Sequence, residues 1–284
     1  MIRKWKTAAK AFAASTLGLL LAFSGQAFSA QALSEQATET PNLDKINDRG
    51  TLRVGMSTFV PWAMRDKQGD LIGFEIDVAT RLAQDSGWKV EFVPTAWDGI
   101  IPALLAQKFD VIIGGLSITP ERSKSVLFSE PYSHSGVQVA ASKKLAGDFK
   151  TFDDFNSRRI KIAARRGATT VQVARETFPK ARILQFDDEA QAFQEVLNGN
   201  AHAVIASSPK PEHETVKHAD VLFLPFAERL AQGNEAFAVR KGEEDKKAFF
   251  DQWIKARTED GWLQQRYEYW FSSLDWQDQI ASGQ

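Results

Sequence analysis

Short apolar runs alternate with amphipathic helical stretches from residue 51 to residue 114, and the same alternation begins again at residue 159. This switching between periods of 2 and 3.6 restricts the chain to α/β folds. Successive parallel strands need a crossover, and a helix supplies it. In the first block, strands are predicted at 51–55, 88–94 and 110–114. A helix is predicted at 74–87, with Ile76, Val78, Ala79, Leu82 and Ala83 on its apolar face. Asp98 is placed to cap a second helix at 99–107. In the second block, strands are predicted at 159–164, 181–186 and 201–206, with helices at 170–178 and 189–197.

Two extended runs, 136–141 and 235–240, join the blocks. Two crossings return the Trp- and Tyr-rich helical tail, 243–271, to the first block. The predicted architecture is therefore two α/β lobes joined by a two-stranded hinge. Lobe 1 comprises 43–137 plus 238–284, lobe 2 comprises 142–232, and the hinge strands lie near 137–142 and 233–240. The tail aromatics Trp253, Trp262, Tyr267, Tyr269 and Trp270 fall at helical spacings, which assigns them to core packing.

The first thirty residues belong to a different category. Arg3, Lys4, Lys6 and Lys10 precede an apolar run at 11–23, followed by small residues with candidate cleavage sites at 25–27 and 27–29. This is the plan of a secretory signal peptide, assigned here to 1–29, with a flexible lead-in at 30–42. The run is short for a membrane span. The full chain of 284 residues has 35 basic and 36 acidic side chains. Removing the signal takes four positive charges and no negative ones, which leaves about −5. That balance offers no whole-chain case for nucleic-acid binding. Cys is absent, which excludes disulfides and thiolate chemistry. The four histidines show no metal-ligand spacing and no nucleotide fingerprint is present, so neither metal nor cofactor is expected.

The chemistry concentrates at strand ends. After the strand at 110–114, Gly114 and Gly115 let the backbone approach a ligand. Thr119 is a predicted N-cap with Pro120 at the first helical position. Arg122, one turn in, offers a planar fork of donors, and Ser117 adds a hydroxyl. Together these form a carboxylate or small-anion cradle. In the second block, Arg165, Arg166 and Gly167 precede Ala168, Thr169 and Thr170 in a similar strand-to-helix turn, with Thr169 or Thr170 as cap. Phe59 and Trp97 follow two strands directly and supply aromatic walls.

These segments resemble the periplasmic solute-binding proteins of the polar-amino-acid class (bacterial extracellular solute-binding protein family 3). The resemblance rests on LRVG (52–55), FVPW (59–62), GFEIDVA (73–79), WDGIIPAL (97–104), DVIIGGLSITPER (110–122) and FSEPY (128–132). It implies a type II periplasmic-binding-protein fold that closes on its ligand and delivers it to an ABC permease, acting as a monomer in the periplasm. It further implies that Arg122 pairs with a ligand carboxylate. Gly115, Ser117, Thr119, Ala168, Thr169 and Thr170 would complete the cradle, while Phe59 and Trp97 hold the side chain.

Two departures stand out. The family's ammonium-binding Asp falls at Ser207, so Glu212, Glu235 or another acid must substitute, or the ligand lacks a standard amino-acid head. In addition, no acid lies between Val54 and Met64, which disfavours a cationic ligand, and Arg165 and Arg166 would suit a second carboxylate. A second resemblance is to cyclohexadienyl (arogenate/prephenate) dehydratases of the same fold, through KARIL (180–184), DQWI (251–254) and LQQR (263–266). There the catalytic acid falls at Lys210, with Glu212 or Glu214 as displaced counterparts. A binding protein is therefore expected rather than an enzyme. The alternatives are a dehydratase-like enzyme and a ligand-sensing partner of a membrane receptor.

Overall fold

The computed structural model describes residues 42–280. The predicted signal segment and nearly all of the lead-in lie outside them. Helix α1 (Asn42–Arg49) leads into strand β1 (Thr51–Met56). A small antiparallel pair, β2 (Met64–Arg65) and β3 (Leu71–Ile72), precedes α2 (Phe74–Asp85) and β4 (Lys89–Pro94). A 3-10 turn, Trp97–Gly99, opens α3 (Ile100–Leu105), and β5 (Val111–Ile112) follows. One helical turn, α4 (Pro120–Ser123), leads to the 17-residue strand β6 (Val126–Ser142). The second block contains α5 (Lys143–Ala146), α6 (Phe152–Phe155), β7 (Lys161–Arg165), α7 (Thr169–Thr177), β8 (Arg182–Phe186), α8 (Glu189–Leu197), β9 (Ala203–Ser207), α9 (Lys210–Lys217) and β10 (Leu222–Phe223). Strand β11 (Ala231–Arg240) returns the chain to α10 (Glu244–Glu259) and α11 (Trp262–Tyr267).

The strands form one sheet ordered β4-β1-β5-β11-β6-β9-β7-β8, with β10 on β6. β1 runs parallel to β4 and β5, and β7 parallel to β8 and β9. The antiparallel ladder of β6 and β11 joins these parallel blocks. The second half of β6 pairs with β9, whereas the end of β11 pairs with β5. The ladder register shifts on both sides of Ala236, a bulge where β11 passes from one block to the other.

The apolar residues of the two blocks pack separately. Trp62, Phe74, Phe237, Phe250 and Trp253 centre one core, with the tail residues Leu263, Trp270 and Phe271 against them. Phe155, Ile162, Phe178 and Ile205 centre the other. Each fully buried aromatic contributes about 2–3 kcal/mol of transfer free energy. Separate apolar clusters on either side of a shared two-stranded ladder make the two-lobed α/β fold.

Several local expectations change. Asp98 makes no side-chain cap; Gly99 precedes α3, and the predicted helix start is a 3-10 turn instead. Neither Thr169 nor Thr170 caps α7, because both lie inside it and Ala168 is the N-cap. The tail helix breaks at Gly261, whose φ of 76° is left-handed and ends α10 cheaply only for glycine. Helix α9 is not among the predicted elements; Pro209 is its N-cap and Pro211 lies in its first turn. At the first turn of a helix, proline loses nothing.

Candidate functional site

The carboxyl ends of β1, β4 and β5 in lobe 1 meet those of β7 and β9 in lobe 2. Phe59 and Trp97 follow β1 and β4, and their ring centroids lie 6.1 Å apart. Phe59 also stacks on the core residue Trp62 at 5.5 Å. Gly115 has φ 66°, and a Cβ there would sit 2.9 Å from the Phe59 ring. Glycine is therefore required for β5 to end against this wall. The Gly115 N–H is not free for a ligand. It donates to the Tyr132 hydroxyl at 3.2 Å, and that hydroxyl donates to buried Glu75.

Thr119 caps α4 as expected, its Oγ1 accepting from the Arg122 backbone N–H at 3.2 Å with Pro120 at the first helical position. This uses one of the N–H groups expected to face an anion. One turn of helix also carries little macrodipole, so the cradle depends on side chains more than on the helix start. The Arg122 guanidinium donates to Ser117 O at 2.8 Å and reaches across to Gly167 O in lobe 2 at 3.2 Å. Its Cζ lies 5.9 Å from the Trp97 ring. No carboxylate among the described residues forms an ion pair with it. Burial pulls its pKa down to about 10.

In lobe 2, Gly167 has φ 72°, and a Cβ there would meet Asp98 Cα at 2.9 Å. This turn therefore lies against the Trp97–Gly99 turn of lobe 1, and Ala168 packs onto the cluster around Trp97. Thr170 is buried. Thr169 and Ser207 line a cavity of about 170 Å³ beside the β6–β11 ladder, together with Ser117 and Thr119. Phe59 lines a separate cavity of about 310 Å³ with Met64, Glu189 and Lys210. The ten predicted positions thus divide: four surround the ladder-side cavity, Phe59 faces the other, and Arg122, Trp97 and Ala168 lie where the two lobes touch. Gly115 is spent on Tyr132, and Thr170 packs inward.

The paired arginines also separate. Arg166 is exposed and pairs with Asp187 at 3.1 Å. Arg165 is buried, donates to Ser57 Oγ in lobe 1, and lies 5.4 Å and 5.1 Å from the Phe59 and Trp97 rings. Its Nε has no hydrogen-bond partner among the described residues. Glu189 is a residue that sequence reasoning missed, because an acid in the first turn of a helix reads as capping chemistry. Of the displaced acids considered, Glu212 accepts from Ser208 Oγ at 2.7 Å, and Glu214 forms a buried pair with Lys210 at 3.0 Å. Glu235 accepts from Ser133 and Ser135.

Residues 52–273 match the bacterial extracellular solute-binding proteins, family 3. The chain belongs to this family. Among curated relatives of this solute-binding protein, the L-cystine-binding protein TcyJ of Escherichia coli (strain K12) is 30% identical over 232 residues, which are 81% of this chain and 86% of that one. The cyclohexadienyl dehydratase of Pseudomonas aeruginosa is 29% identical over 238 residues, 84% of this chain and 88% of its own. Among solved structures, the ancestral amino-acid-binding protein AncCDT-1, a precursor of cyclohexadienyl dehydratase, is 42% identical with a TM-score of 0.74, over 82% of this chain and all of that chain. A putative ABC-transporter binding component from Wolinella succinogenes, complexed with lysine, is 33% identical with a TM-score of 0.76, over 81% of this chain and all of its own. The solute-binding protein thus has relatives that bind amino acids and one that is an enzyme.

Proposed function

We propose that this solute-binding protein captures a small carboxylate-bearing ligand, an amino acid or related organic acid, in the periplasm and delivers it to an ABC permease. The observation that carries this reading is Arg122. Its guanidinium is partly desolvated and has no carboxylate partner, yet it spans from Ser117 O to Gly167 O across the lobes. A ligand carboxylate would neutralise it through charge-assisted bonds, which are strongest where water is excluded. Because the ligand would grip both lobes, its differential contacts would favour the closed arrangement. The moving bodies are 43–137 with 238–284 and 142–232, turning about the strands near 137–142 and 233–240. Phe59, Trp97, Ser117, Thr119, Ala168, Thr169 and Ser207 supply the remaining contacts, whereas the Gly115 N–H and buried Thr170 serve the fold.

Titration calorimetry over a panel of amino acids, keto acids and dicarboxylates tests this. The Arg122→Ala variant should lose at least about 30-fold in affinity for whichever carboxylate binds the wild type. Unchanged affinity overturns the reading.

The dehydratase relative favours a second reading, that of an enzyme. We propose that this chain is not one. At the position where the dehydratase resemblance places a carboxylic acid stands Lys210, paired with Glu214 at 3.0 Å, so the carboxylic-acid proton donor is missing there. Turnover of prephenate or arogenate above background would reverse this assignment.

A further inference from the structure

Helix α8 is capped without the help of Glu189. Asp188 is its N-cap and accepts from the Gln191 N–H at 2.8 Å. Glu189 turns inward instead. It is 7% exposed, and its Oε2 has no hydrogen-bond partner among the described residues. Leaving a carboxylate oxygen buried and unpaired is costly, so native structures seldom do it without a reason. The neighbouring cations do not account for it. Lys210 is held by Glu214 at 3.0 Å, while Arg165 donates to Ser57 and lies over the Phe59 and Trp97 rings. Both exert a favourable field on Glu189, but neither forms an ion pair with it.

Two further observations fix where this carboxylate acts. It lines the cavity of about 310 Å³ that Phe59 also lines. It also faces the backbone N–H of Ser207 at the end of β9. We propose that Glu189 receives an ammonium group of the ligand, supplying from α8 the carboxylate that Ser207 lacks. The ligand class is then an amine-bearing acid rather than a simple organic acid. This rests on Arg122 holding the carboxylate end.

Thermal-shift and calorimetric titration of the full chain with matched pairs tests the assignment: L-cystine against dithiodipropionate, L-glutamine against glutaramate, and L-arginine against guanidinovalerate. At least one amino acid should bind the wild type roughly 10–100-fold more tightly than its deaminated counterpart, the worth of a charge-assisted bond. In Glu189→Gln that gap should close to within about threefold, and adding Ser207→Asp should reopen it. Equal affinity within every pair in the wild type overturns the proposal without requiring any variant. A gap that survives in Glu189→Gln also overturns it, as does a panel in which no amino acid binds. If Arg122→Ala abolishes binding of both members of an equally bound pair, the carboxylate reading stands and the Glu189 assignment alone falls.

Discussion

Each lobe buries a glutamate in the first turn of a helix, and the two are treated in opposite ways. In lobe 1, Glu75 of α2 is fully buried and accepts the Tyr132 hydroxyl at 2.6–2.7 Å, with the Gly115 N–H also directed at this group. In lobe 2, Glu189 of α8 has an oxygen with no partner among the described residues and a cavity beside it. Burial raises both carboxyls. Glu75 accepts the Tyr132 hydroxyl and Glu189 the Ser207 backbone N–H, and burial pushes Glu75 up to about 8, so it is mostly uncharged at neutral pH. A satisfied buried acid belongs to the fold, here anchoring β5, β6 and α2 together. An unsatisfied one lining a cavity costs stability that binding recovers.

Making the same substitution in both lobes probes that contrast most strongly. Glu75→Ala should cost about 2–4 kcal/mol, because it opens a cavity and leaves the buried Tyr132 hydroxyl without its acceptor. The loss would appear as a lower denaturant midpoint with an unchanged slope. A variant as stable as the wild type would remove Glu75 from the structural side of the comparison.

A pH dependence follows from Glu75 and its neighbour Glu235. Glu75 titrates near 8, and Glu235, held by Ser133 and Ser135, is pushed up to about 7 by burial. Both values lie above the unfolded value of 4.5. The folded state therefore holds more protons than the unfolded state over this window. Stability is full below about 4.5 and falls as pH rises through 7 and 8. We expect a loss of about 1–3 kcal/mol between pH 6 and pH 8. Glu75→Gln keeps an acceptor for Tyr132 and should flatten most of that slope. Denaturation curves at several pH values decide it, and stability that rises over this range contradicts the assignment.

These contrasts mark what could be seen in the sequence. The strand–helix alternation, the two extended runs and the N-cap at Thr119 are local patterns that recur in the structure, although β6 begins ten residues before its predicted run and α3 opens on a 3-10 turn. Of the tail aromatics, Trp253 and Trp270 are buried as their helical spacing predicted, while Trp262, Tyr267 and Tyr269 are half-buried against the same core. The burial of Arg165 could not be read in this way. It depends on Phe59 and Trp97, which are distant in sequence and whose rings lie 5.4 Å and 5.1 Å from its guanidinium. Its neighbour Arg166, of identical chemistry, points to solvent. Glu189 was hidden for a different reason: two acids in succession start α8, and only geometry tells that Asp188 does the capping. At Ser207 the sequence revealed a missing charge but not its replacement, because the replacement comes from another element.

The smallest expected effect is the most discriminating one. Without added ligand, Glu189→Ala should change stability by less than about 1 kcal/mol and can raise it. The substitution removes a buried carboxylate with an unsatisfied oxygen, and the space it leaves joins a cavity already present beside Phe59. The compensating loss is the favourable field of Arg165 and Lys210, both of which keep their other partners. Unfolding of wild type and variant, each dialysed free of ligand after partial denaturation, checks this by the difference in midpoint. A cost comparable to that of Glu75→Ala would show that Glu189 is satisfied in the folded protein, and the distinction between the two buried acids would collapse.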